Sequence, residues 1–75
     1  MYPSREIIEK IKEQYPVGTR VELVKMDDRN APLIGTLGTV IDVDDIGSLI
    51  MQWDNGSGLN VAYGEDVVRK VKQDD

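Results

Sequence analysis

Gly38-Thr39-Val40-Ile41-Asp42-Val43-Asp44-Asp45-Ile46-Gly47-Ser48-Leu49-Ile50-Met51-Gln52-Trp53-Asp54-Asn55-Gly56 is the stretch that decides how this 75-residue chain folds. It holds two runs rich in β-branched and apolar residues, each closed by a turn signal, which is the pattern of consecutive antiparallel strands. In the second run, Ser48 to Asp54, Leu49, Met51 and Trp53 alternate and share one face. In the first run, Gly38 to Asp44, Val40 and Val43 are three apart, so strict alternation fails. A bulge near Ile41 reconciles both valines with one core. Asp45-Ile46-Gly47 predicts a tight turn. Asn55-Gly56 predicts a type I′ hairpin turn, because both residue types tolerate positive φ.

Downstream, Ser57 to Ala62 extends the pattern as a further strand with Leu59 and Val61 inward. Tyr63 to Asp66 predicts a single turn, Val67 to Val71 a last strand, and residues 73–75 a frayed tail. Upstream, Val17-Gly18-Thr19 opens a strand from Arg20 to Met26 that points Val21 and Leu23 to the core. Asp27 to Gly35 is a loop, marked by Asp27-Asp28, Asn30 and Pro32. Its apolar pair, Leu33 and Ile34, is expected to fold back over an open barrel end.

Residues 4–15 change period from two to that of a helix. Ser4 is the expected N-cap, and Ile7, Ile8, Ile11 and Tyr15 form one stripe. Pro16 ends the helix by pushing Tyr15 out of the helical region. Such a short helix is unstable alone and must pack on something. Five short strands in a chain this small suit a closed or half-closed barrel rather than a sandwich, since closure hides the strand edges. The expected fold is therefore mainly β: a small five-stranded barrel over residues 16–75, with residues 1–15 as a capping helix.

The chain has no Cys and no His, so disulfide and Cys/His metal staples are missing. Residues 1–20 carry charge throughout and lack the apolar run of an export signal, which makes a cytoplasmic location the expectation. The net charge of -5 is unevenly spread. Residues 1–29 balance to zero, residues 30–68 hold no Lys or Arg and a net charge of -6, and residues 69–75 carry +1. Phosphate backbones are met by clustered Lys and Arg, so direct nucleic-acid binding is not expected.

Asp42, Asp44, Asp45 and Gly47 imitate part of a calcium loop, but Ile46 and Trp53 stand at its fifth and twelfth positions, where ligands belong. A polar hairpin turn explains them, and no metal site is expected. Gly35, Gly38, Gly56 and Gly58 fit no phosphate-loop pattern and lie in a negative field; strand corners and turns account for them. Without His or Cys the usual bases and nucleophiles are missing, so neither catalysis nor a cofactor is expected. Trp53 is in phase with the core. Tyr63 is the better surface aromatic, and together with Asp27, Asp28, Asp44, Asp45 or Asp54 it could hold a basic side chain of a partner. A polyproline groove would need more aromatics than a chain with no Phe supplies.

The runs Val17-Gly18-Thr19-Arg20-Val21-Glu22-Leu23, Met26-Asp27-Asp28, Ala31-Pro32-Leu33, Gly35-Thr36, Gly38-Thr39-Val40, Val43-Asp44-Asp45-Ile46-Gly47 and Trp53-Asp54-Asn55-Gly56-Ser57 resemble a bacterial domain-of-unknown-function family of short SH3-like barrels, found in Gram-positive bacteria and their mobile elements. The resemblance covers residues 16–72 and treats the helix as a variable addition. Ile34 and Ala62-Tyr63 depart from it where proline-containing stretches are expected. It implies an SH3-like barrel and supplies no activity, substrate or catalytic residue.

The expected function is a non-enzymatic interaction module whose acidic face meets a basic protein or peptide. Two other classes compete with it. One is a nucleic-acid-related accessory that imitates DNA. The other is a structural homo-oligomer, with a two-fold contact through Ile7, Ile8 and Ile11.

Overall fold

The computed structural model describes residues 3–72, so the tail expected at 73–75 lies outside the described residues. One helix, α1 (Arg5–Gln14), precedes four strands: β1 (Arg20–Lys25), β2 (Leu37–Val43), β3 (Leu49–Trp53) and β4 (Val67–Lys70). They form one sheet in the order β3-β2-β1-β4, with every neighbouring pair antiparallel. No helix among the described residues is long and apolar enough to cross a membrane.

α1 begins where Ser4 accepts a hydrogen bond from the Ile7 N–H at 3.3 Å and ends at Tyr15, just before Pro16. The helix buries no residue completely; Ile8, Ile11 and the following Tyr15 pack partly into the core. Two of the three isoleucines of the expected two-fold contact thus serve this chain's own core, while Ile7 remains 37% exposed.

The core is Val21, Leu23, Val40, Val43, Leu49, Met51, Trp53 and Val61. The bulge falls where the valine spacing asks for it: Val40 pairs with Met51 and Asp42 with Ile50, which leaves Ile41 extra. Val40 and Val43 are buried while Ile41 and Asp42 face solvent. A second bulge, at Val24 in β1, has no counterpart in the sequence reading.

Gly38 pairs across the sheet with Trp53, and the indole covers it so closely that a Cβ there would lie 2.6 Å from Trp53 Cε3. The Trp53 Nε1–H donates to the Leu59 carbonyl at 2.7 Å, which satisfies the polar end of a side chain that is otherwise buried.

Four strands are present rather than the expected five, and among the described residues no ladder closes the sheet into a barrel. No Cα of β3 comes within 8 Å of a Cα of β4. The segment Ser57 to Ala62 is not a strand; only Val61 bridges to Leu49. The physical cause is substitution of side-chain for backbone hydrogen bonds. The Met51 N–H donates to Asn60 Oδ1 at 3.2 Å, where a paired strand would offer a carbonyl. The turn before it also differs from expectation. Asn55 keeps a negative φ and only Gly56 is left-handed, at 91°, so the turn is not type I′. Instead the Gly56 N–H donates to the Trp53 carbonyl at 3.0 Å, and Asn55 Oδ1 takes the Ser57 N–H at 3.0 Å.

Leu33 and Ile34 do not fold over a barrel end. They are 83% and 62% exposed, because the Thr36 N–H and hydroxyl both bond the Leu33 carbonyl and turn the pair outward. Pro32 is the buried residue of that loop.

The solvent-facing side of the sheet is fastened by two ion pairs. Arg20 meets both carboxylate oxygens of Asp54, at 2.7 and 2.5 Å, and also donates to Thr39. Arg69 of β4 pairs with Glu22 of β1. Hydrogen bonding from Arg20 holds the Asp54 carboxyl below the usual carboxylate range.

Two predictions follow from the packing and from this pair. Gly38→Ala forces the indole off its seat and should cost about 1–3 kcal/mol, the usual range for overpacking, read as a lower urea midpoint by Trp53 fluorescence. Asp54 has a lowered folded pKa, so its contribution is fully present above the unfolded value of about 3.9 and is lost as pH falls through the folded value. The difference in urea midpoint between the native chain and Asp54→Asn should therefore be present at neutral pH and should vanish in acid.

Candidate functional site

A groove of about 250 Å³ lies on the side where the sheet stays open. One wall is the C-terminal half of α1, with Ile11 and Gln14, and the Tyr15 that follows it. A second wall is Gly47 of the β2–β3 turn with Leu49 at the start of β3. The floor and far wall come from Val61 to Gly64 and from Asp66 to Val68. Most of this lining is apolar, and Asp66, Gln14 and the two tyrosines supply its polar groups.

Gly47 sets how the walls meet. Its φ is 82°, and a Cβ there would lie 2.9 Å from Pro3 Cγ, 3.3 Å from Ile11 Cδ1 and 3.5 Å from Tyr63 Cβ. The β2–β3 turn, the helix and Tyr63 can converge only because this position lacks a side chain. The turn itself is built by Asp44, whose Oδ1 accepts from the Ile46 N–H at 3.1 Å and the Ser48 N–H at 2.8 Å. Asp45 stays exposed.

The far wall is a single turn, as expected. Glu65 and Asp66 N–H groups bond the Ala62 carbonyl, Gly64 takes φ 79°, and Asp66 Oδ2 accepts the Ala62 N–H at 2.8 Å. One Asp66 oxygen thus fixes the turn that carries Tyr63, and the side chain borders the groove. At the opposite rim the Lys70 ammonium sits 5.1 Å from the centre of the Tyr15 ring.

The sequence-derived surface is therefore only partly assembled. Tyr63, 46% exposed, shares the groove region with the turn that holds Asp44 and Asp45. Asp54 does not join them: it lies past the far end of β3, engaged by Arg20. Asp27 and Asp28 follow the end of β1 that pairs with the start of β4, and Asp28 Oδ1 is occupied by the Asn30 N–H at 2.7 Å. Among the described residues no three Asp or Glu side chains converge as a metal site would require. Gln14, Val67 and Val68 carry no site signal in the sequence; Ile11 enters there only through the helical stripe and the two-fold contact, and Asp66 only as the carboxylate closing the Tyr63 turn.

No curated protein and no solved structure matches the chain. A family match extends over residues 4–71, and it includes α1, so the helix is part of the shared domain rather than an addition to it. Spanning the helix, all four strands and the whole groove, that match shows that the chain belongs to the family described as Domain of unknown function (DUF4314).

Proposed function

We propose that the chain is a non-enzymatic protein-interaction module that receives a basic segment of a partner protein in the groove between α1 and the Ala62–Asp66 turn. In this reading the domain is an SH3-like barrel left open between β3 and β4, and the opening is the binding site. The observation that carries it is the groove itself: an apolar cleft bordered by Asp66 and lying between two acidic turns. Asp44 and Asp45 stand on one side, Glu65 and Asp66 on the other, and residues 30–68 contain no Lys or Arg. An apolar cleft with a few convergent polar groups is the usual form of a binding site. An acidic flank of this kind attracts and orients a partner of opposite charge. Tyr63 supplies a half-exposed aromatic of the kind enriched at such contacts.

The test uses the whole chain and a short, acetylated and amidated peptide of repeating Lys-Lys-Val-Val, which presents both residue types on either face of an extended strand, with binding followed calorimetrically. Affinity should fall as salt shortens the screening length from about 30 Å at 0.01 M to about 8 Å at 0.15 M. Asp66→Asn keeps an oxygen for the Ala62 N–H but removes the charge. It should weaken binding about three- to fivefold, the size of a partly solvated charge pair. Binding that ignores both salt and Asp66→Asn would overturn the reading.

A further inference from the structure

The two outer strands of the sheet treat their free edges in opposite ways. Along β3 every second N–H points outward, and each is satisfied. Leu49 donates to the Val61 carbonyl at 3.0 Å, Met51 to Asn60 Oδ1 at 3.2 Å and Trp53 to the Ser57 carbonyl at 3.2 Å. Residues 57–61 thus cover this edge without forming a strand.

β4 has no such cover among the described residues. The Val71 N–H donates to the Arg20 carbonyl at 2.9 Å, so in this antiparallel register Arg69 and Val71 turn their main-chain groups toward β1. Val68 and Lys70 then turn theirs away from the sheet. Their N–H and C=O groups have no partner among the described residues. Val68 also lines the groove, so the open edge and the groove adjoin.

Charged side chains often guard such edges by projecting across the path of an incoming strand. Here the two candidates are tied down. Arg69 is held by Glu22 on the outer face, and the Lys70 ammonium lies over Tyr15. A second copy of this chain is a poor occupant, because pairing β4 with β4 about a two-fold axis would bring Arg69 and Lys70 of both copies together. The rim favours a different chain, with a cation for Asp66 and Glu65.

Resting on the function proposed above, we infer that the bound segment is an extended strand that adds to the edge of β4. It exchanges main-chain hydrogen bonds with Val68 and Lys70. It places an apolar side chain in the groove against Ile11 and Tyr15, and it sets a Lys or Arg toward Asp66. Main-chain pairing supplies affinity and the groove supplies side-chain selection, as in other strand additions.

The experiment follows amide hydrogen exchange and NMR shifts of the full chain with and without the Lys/Val peptide. In the free chain the Val68 and Lys70 amides should exchange quickly while the Arg69 and Val71 amides are protected. With saturating peptide the Val68 and Lys70 amides should slow by about tenfold or more. N-methylating the peptide at the amides that face β4 should weaken binding about tenfold. Lys70→Pro removes an outward N–H and spares the β1 ladder, and it should do the same. Salt-dependent binding that leaves Val68 and Lys70 unprotected, and that tolerates N-methylation, would overturn strand addition while leaving the interaction module standing. No binding at millimolar peptide would overturn both. Val68 and Lys70 amides already protected in the free chain, with a dimer mass by sedimentation, would assign the edge to a second copy and overturn the proposal.

Discussion

The indole of Trp53 lying across Gly38 is the contact on which the rest of the molecule depends. It is the largest fully buried side chain, and it needs a position on β2 with no Cβ beneath it. Its N–H has to find an acceptor inside the protein, and the acceptor is the Leu59 carbonyl. One residue thereby locks the β2–β3 register and draws the segment after β3 back over the core. Burial of a ring this size supplies a large share of the apolar stabilisation open to a chain with no disulfide.

From that contact the two edges of the sheet diverge. Tethered at Leu59, residues 57–61 run alongside β3 close enough to saturate its outward amides, with Asn60 standing in for a backbone carbonyl. They then reach Val61, whose bridge to Leu49 brings the chain to the helix side of the core. The Ala62–Asp66 turn sends it on to β4 at the opposite edge of the sheet. The gap between β3 and β4 is what this route leaves behind, and α1 fills it only in part.

The sequence exposes most of this through side-chain phase. Alternation at Leu49, Met51 and Trp53, and the three-residue spacing from Val40 to Val43, report directly which residues share a face, and both are matched by the buried core and the bulge. Phase says less where side chains replace backbone partners. Leu59 and Val61 alternate as in a strand, yet Asn60 pairs through its carboxamide and the ladder never forms. Leu33 and Ile34 show a further limit: two adjacent apolar residues suggest burial, but local hydrogen bonds to the Leu33 carbonyl decide their direction. The bulge at Val24 breaks no visible pattern, since β1 reads as regular on either side of it. The groove was least legible, because its walls come from four separate parts of the chain. Charge asymmetry pointed to the acidic middle of the sequence, while the pairing of Asp54 with Arg20 depends on a register that composition does not encode.

The meeting of Pro3, Ile11 and Tyr63 around Gly47 ties the helix to the sheet at a point beside the groove. Elsewhere α1 has no fully buried side chain, so its seat is among the weaker ones in the fold. The cleft is therefore bounded on one flank by firmly hydrogen-bonded sheet and on the other by a lightly anchored rod. Any guest that wedged between the two would share a thermodynamic linkage with helix seating. A guest that gripped α1 would raise the resistance of the helix to local opening, and a change that loosened the packing around Gly47 would lower that guest's affinity.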